Sequence, residues 1–184
     1  MDAFEKVVEQ ILRRNGYWAA TSFKVDLTRE DKTAINRPSS PRWEIDVLAY
    51  KAEGNEVLAI ECKSFLDSTG VQFCDGCFQP TETYKLFTDD KLRGVVLNRL
   101  AEQLVAKGSC AVRPRPVLCL AAGKVARRTD RDAMARCFEQ NGWRLLDDRW
   151  IRSELRKTAD ADYENEIAFV VSKILMRGGD DEDG

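Results

Sequence analysis

The stretch from Trp43 to Lys63 constrains this chain more than any other. It reads Trp-Glu-Ile-Asp-Val-Leu-Ala-Tyr-Lys, a turn signal at Gly54-Asn55, and then Glu-Val-Leu-Ala-Ile-Glu-Cys-Lys. Two short runs rich in Val, Ile, Leu and Tyr around such a signal predict a β-hairpin. Side chains alternate along a strand, so Leu58, Ile60 and Cys62 share a face suited to a core, while Ala59, Glu61 and Lys63 share the other. In the first strand Ile45 and Val47 are expected to oppose Glu44, Asp46 and Leu48. A two-residue loop at Glu53-Gly54 pairs Asp46 with Glu61, and one at Gly54-Asn55 pairs it with Lys63. Either register gathers the three on one face, whereas an odd loop without a compensating bulge sends Asp46 to the reverse side.

Two carboxylates and an ammonium on a half-buried sheet face are expensive to desolvate, and need partners or a metal. They form either a salt-bridge cluster on a solvated face or a site. The chain has no His, which excludes a Ser-His-Asp triad, a Cys-His dyad and a His general base. Carboxylate, lysine and metal chemistry remains. Of the six cysteines, Cys74 and Cys77 form a Cys-x-x-Cys pair. Without His or a second close pair it supports zinc or redox chemistry poorly, and the cysteines read as reduced thiols.

Residues 2 to 14 are expected to be an amphipathic helix, with Phe4, Val7, Val8, Ile11 and Leu12 in one stripe and Asn15-Gly16 as the stop. Glu5 lies at the edge of that stripe and Glu9 further toward solvent. Glu5 is either a site acid or an ordinary helix-start acid. Trp18 to Leu27 predicts a strand and Thr28 to Pro41 a loop, whose Lys32 and Arg37, with Arg42 beyond, are phosphate contacts or plain solubilisers. Ser64 to Gly70 reads as a loop and Val71 to Phe87 is ambiguous, with Pro80 breaking any long helix. A helix is expected from Thr88-Asp-Asp to Gly108, and a strand buried on both faces from Arg115 to Ala122. Thr129-Asp-Arg-Asp has a capping-box spacing for a helix to Gln140. Trp143 to Leu146 predicts a last strand, before helices over Asp148 to Lys157 and Asp162 to Met176. A basic group including Arg127, Arg128 and Arg131 surrounds that capping box, placed to meet phosphate or simply to be solvated.

Asp46, followed after a hairpin by Glu61-Cys62-Lys63, resembles the core motif of the PD-(D/E)XK nuclease superfamily, although Ile45 stands where the motif's name has Pro. The opening Phe4-Glu5-Lys6-Val7-Val8 through Leu12 to Asn15-Gly16-Tyr17 is similar to the first helix of its Mrr-like and Holliday-junction-resolvase-like branches. The resemblance covers residues 4 to 63. It implies a restriction endonuclease-like α/β/α sandwich with a mixed central sheet, formed by residues 1 to 177 as one domain. It also implies a Mg²⁺-dependent endodeoxyribonuclease, Mn²⁺ being a substitute. Asp46, Glu61, the Cys62 carbonyl and Glu5 would hold the metal, and Lys63 would assist catalysis. Some relatives place a helical Gln beside the metal, for which Gln72 and Gln79 are the candidates. DNA is the implied partner, and a homodimer follows by analogy. A nuclease-like fold that no longer cuts and serves as a DNA-binding or assembly module is the alternative, and a protein with neither DNA nor metal a third.

Net charge is −2, yet Asp180, Asp181, Glu182 and Asp183 more than account for it. The body is therefore mildly basic, and residues 178 to 184 read as a disordered acidic tail. The apolar runs are too short to cross a bilayer and the charged N-terminus is unlike a signal peptide, so a soluble cytoplasmic protein is expected.

Overall fold

The computed structural model describes residues 2–39, 42–162 and 164–177. In chain order, helix α1 (Ala3–Arg14) leads to strand β1 (Trp18–Val25), a short helix α2 (Arg29–Ala34) and strands β2 (Trp43–Lys51) and β3 (Glu56–Lys63). A small hairpin of β4 (Gln72–Cys74) and β5 (Cys77–Gln79) follows, then α3 (Lys85–Thr88) and the long α4 (Asp90–Ala106). The remainder comprises β6 (Arg115–Ala122), α5 (Arg128–Asn141), β7 (Arg144–Leu146), α6 (Asp148–Asp160) and α7 (Ile167–Arg177).

The main sheet has the order β1-β2-β3-β6-β7: an antiparallel meander of the first three strands, extended in parallel by β6 and β7. Helices cover both faces. On one, Val8 and Leu12 of α1 and Trp150 of α6 pack on Val47, Ala49, Leu58, Ile60, Cys119 and Ala121. On the other, Leu92, Val96, Leu100 and Leu104 of α4 and Met134 and Phe138 of α5 pack on Ile45, Leu48, Val57, Ala59, Leu118 and Leu120. The protein is thus a mixed α/β structure in which β3 is buried on both sides, not on one as alternation alone suggested. That burial explains why β3 and β6 are apolar at successive positions. Among the described residues no helix is long and apolar enough to cross a membrane.

Helix α1 starts as its sequence dictates: Asp2 accepts from the Phe4 N–H at 2.9 Å and Glu5 accepts from the Asp2 N–H at 3.2 Å. Glu9 departs from expectation. It is 2% exposed and held by Lys6 at 2.5 Å and Arg13 at 2.6 Å, and Arg13 in turn donates to the Ala19 carbonyl of β1 at 3.0 Å, closing that side of α1 against the sheet. The expected loop from Thr28 contains α2, begun by a Thr28/Asp31 capping box and anchored by Arg99, whose Nε lies 2.5 Å from Asp31. Pro41 and the tail, residues 178–184, lie outside the described residues.

The ambiguous stretch from Val71 resolves into the β4–β5 hairpin, whose turn residues Asp75 and Gly76 both have positive φ, +52° and +78°. Two positive-φ residues twist the chain to match the flanking strands, so Cys74-Asp-Gly-Cys77 is a turn flanked by paired thiols. Helix α5 begins at Arg128, one residue before the expected Thr129, and its cap Arg127 makes no side-chain hydrogen bond.

The loops after β3 and β6 are tied together where β3 and β6 end. Gly123 donates its N–H to the Lys63 carbonyl at 2.9 Å, and Val71 bridges Val125. A Cβ at Gly123 would lie 2.5 Å from the Ser64 carbonyl oxygen and 3.1 Å from the Phe4 ring. Gly123→Ala is therefore expected to cost about 1–3 kcal/mol as the backbone moves to relieve the overlap, read as a lower urea midpoint by tryptophan fluorescence. An unchanged midpoint would show that the close approach is dispensable.

Candidate active site

The β2–β3 ladder runs in even register from Lys51↔Glu56 to Val47↔Ile60, and then stops. Its extension places Asp46 opposite Glu61, the first of the two expected registers, and the four residues Ala52 to Asn55 that turn the chain preserve parity. Alternation does not survive to the strand's start. Ile45 packs into the same core as Leu48, while Val47 and Ala49 face the other, and across from this step Ser22 has φ +54°. The break frees Asp46 from the regular pleat. Its Oδ2 accepts the Cys62 N–H at 2.7 Å, a donor that the terminated ladder leaves over.

Glu61 and Lys63 follow on β3, paired with Leu120 and Ala122 of β6. Lys63 Nζ lies 3.0 Å from Glu61 Oε1, and the side chains are only 18% and 16% exposed. This is no solvated surface bridge. Burial pushes the Glu61 carboxyl above its ordinary range, Lys63 opposes that, and the Asp46 charge adds to it. Burial likewise raises Asp46, opposed by the Cys62 N–H and Lys63 and reinforced by Glu44 and Asp2. Lys63 is the common neighbour of both acids.

Glu61 Oε2 and Tyr84 Oη are buried without a hydrogen-bond partner among the described residues. A buried group in that condition costs about 1–3 kcal/mol, more when charged. Lys63 Nζ also sits 5.8 Å from the centre of the Tyr84 ring, and the Lys85 charge reaches Glu61. The Cys62 thiol packs in the α1-side core, where burial, Asp46 and Glu5 all raise its pKa. Only its backbone belongs to the site.

Glu5 is therefore near enough to be felt at Cys62, but its carboxylate is engaged in the capping box. Among the described residues no group of three or more acidic or thiol side chains is placed to hold a metal, so the pair Asp46 and Glu61, not a triad with Glu5, is what converges. Gln72 and Gln79 pair with each other on β4 and β5 and are not helical.

The expected phosphate contacts separate into two groups. Arg42 makes an exposed pair with Asp26 at 3.0 Å, Arg37 lies over the Trp43 ring at 5.4 Å, and Lys32 sits in the last turn of α2. Arg127 caps α5, and Arg128 is 83% exposed with Asp132 at 3.9 Å. Arg131 is different: its guanidinium is buried between Asp147 at 2.8 Å and Asp148 at 2.6 Å. It joins α5 to the start of α6, with its guanidinium already engaged by both aspartates.

Sequence reasoning missed Asp2, Tyr84 and Lys85. Asp2 was legible as an N-cap with Glu5 three residues on, whereas Tyr84 and Lys85 lie in the ambiguous stretch and gave no signal. Comparison of the chain with protein-family models, with curated proteins and with solved structures finds no match in any of the three.

The raised carboxyls set a pH dependence. An acid whose folded pKa exceeds its unfolded one keeps its proton longer in the folded state, so its penalty is absent below the unfolded pKa and complete above the folded one. Glu61→Gln is accordingly expected to be more stable than wild type at pH 8 in EDTA, with an advantage that shrinks on acidification toward pH 4. Urea titrations across that range measure it. An advantage growing as pH falls would mean that Lys63, not burial, governs the carboxyl.

Proposed function

We propose that this protein is a metal-dependent nuclease of the PD-(D/E)XK type, with a restriction endonuclease-like fold, that hydrolyses DNA phosphodiester bonds. What carries this reading is the convergence on Lys63 of two half-buried carboxylates from adjacent strands, one of them with an orphaned oxygen. The mixed sheet order and the helices on both of its faces agree with it.

The donor set suits Mg²⁺, with Mn²⁺ as substitute. A hard, largely hydrated cation needs only one or two carboxylates beside water and phosphate oxygens, and Glu61 Oε2 has no partner among the described residues. Asp46 and Glu61 would hold it, with the Cys62 carbonyl beside them and Glu5 further out at the start of α1. When bound, the ion supplies charge neutralisation at the phosphate and acidifies a water.

The chain's own groups do the rest. Asp46, with Oδ2 fixed by the Cys62 N–H, presents its other oxygen in a set direction. Lys63 donates to Glu61 in the resting protein and can turn a second N–H to a phosphate oxygen or to the attacking water, steadying charge as it develops. Arg127 and Arg128 follow β6, whose last residue pairs with Lys63, so they lie on the side from which a nucleic acid would approach.

Asp46→Asn is expected to lower Mg²⁺-dependent nicking of supercoiled plasmid by at least ~10²-fold while duplex binding and folding survive. Unchanged nicking by this variant refutes the assignment. Pure wild-type protein that binds DNA yet never nicks it, with Mg²⁺ or Mn²⁺, would instead indicate a catalytically silent DNA-binding module. Replacing Arg127 and Arg128 with Ala should weaken oligonucleotide binding and flatten the log K against log salt slope by ~2, about one unit per lost phosphate contact. An unaltered slope removes both residues from the interface.

A further inference from the structure

Tyr84 is fully buried, yet its hydroxyl meets no partner among the described residues. Packing does not require that hydroxyl. The ring stacks on Phe78 with centroids 4.3 Å apart and 16° between planes, and its backbone carbonyl takes the Phe87 N–H at 2.9 Å and the Thr88 hydroxyl at 3.1 Å. Phenylalanine would make every one of these contacts. The hydroxyl is therefore retained at a cost, and Lys63 connects it to another orphaned oxygen, Glu61 Oε2: Nζ lies 3.0 Å from Glu61 Oε1 and 5.8 Å from the centre of the Tyr84 ring.

A phenol donates one hydrogen bond and a carboxylate only accepts. Lys63 already satisfies Glu61 Oε1, so the unmet requirement at Oε2 is a donor, which the Tyr84 O–H, not directly bonded to it, can meet through one water. Substrate cannot be its target, because a fully buried hydroxyl is out of reach of a phosphate backbone.

We propose that Tyr84 is a positioning residue: its hydroxyl, through a single bridging water, fixes the orientation of the Glu61 carboxylate in which that group receives a divalent cation. This rests on the nuclease reading of the same site, and goes beyond it by assigning work to a residue outside the motif.

The test compares Tyr84→Phe with wild type, Glu61→Gln and Asp46→Asn in three measurements: urea unfolding in EDTA, Mn²⁺ binding by calorimetry without nucleic acid, and plasmid nicking. Tyr84→Phe is expected to unfold at the same or a higher urea concentration, since an unsatisfied polar group is removed, while Mn²⁺ affinity falls about 3- to 10-fold and kcat falls with KM unchanged. A purely structural tyrosine would show the reverse, a lowered midpoint with undisturbed Mn²⁺ affinity, and that result overturns the proposal. So does Mn²⁺ affinity equal to wild type in Tyr84→Phe while Glu61→Gln and Asp46→Asn lose it, an outcome that leaves the nuclease reading standing. If all three variants bind Mn²⁺ and nick as wild type does, the nuclease reading fails and the proposal with it.

Discussion

A single hydrogen bond, from the Cys62 N–H to Asp46 Oδ2 at 2.7 Å, sets the terms for this end of the sheet. The β2–β3 ladder ends at Val47↔Ile60, and beyond it a buried amide needs an acceptor that the neighbouring backbone no longer supplies. A side-chain carboxylate answers that need only if the pleat is broken, and it is broken at Asp46, opposite Ser22 and its positive φ. The same contact therefore closes the sheet and fixes an acid beside Lys63. Structure and site share one residue, so Asp46 has one oxygen committed to the sheet.

The sequence made legible what depends on local pattern. The hairpin followed from two apolar runs around Gly54-Asn55, though its register was left open between two even alignments and an odd one; the start of α1 followed from its acids and apolar stripe, and β6 from an apolar run bounded by Arg115 and Gly123. What escaped notice depends on distant partners. Helix α2 is held by Arg99, far along the chain on α4; Glu9 is buried beneath Lys6 and Arg13, the latter tied to the Ala19 carbonyl of β1; and Leu58, Ala59 and Ile60 are all buried because helices lie on both sides of the sheet. Alternation predicts two faces for a strand but cannot say how many of them will be covered.

Charge was legible in amount and not in allegiance. Arg127, Arg128 and Arg131 are neighbours in sequence, but a helix turn separates their fates: Arg128 points to solvent, and Arg131 is clamped by two aspartates at the start of α6. A buried guanidinium held by two carboxylates is costly to release, so its role is to join elements. The exposed Arg42–Asp26 pair contributes little to stability and is easily exchanged for a phosphate. Exposure and partner geometry, more than the count of basic residues, distinguish recognition from scaffolding.

Strand β3 carries the comparison that bears most on function, because it holds a glutamate near each end, and each has a tyrosine nearby. At Glu56, Tyr17 Oη donates at 2.5 Å and Arg144 at 2.5 Å; burial pushes that carboxyl up, but these two partners outweigh it and hold it below the ordinary range. At Glu61, Lys63 is the only direct partner among the described residues, Tyr84 is unbonded, and burial prevails. The first arrangement is a completed polar network, which rigidifies and asks for nothing more. The second is incomplete on the same strand and more deeply buried, its side chain 16% exposed against 26% for Glu56. Because the chain satisfies Glu56 so thoroughly, the deficit at Glu61 is not a shortage of donors but a placement of them. An acid left partly unpaired among the described residues, next to a second acid and a lysine where the parallel strands end, is the feature on which the proposed metal site rests.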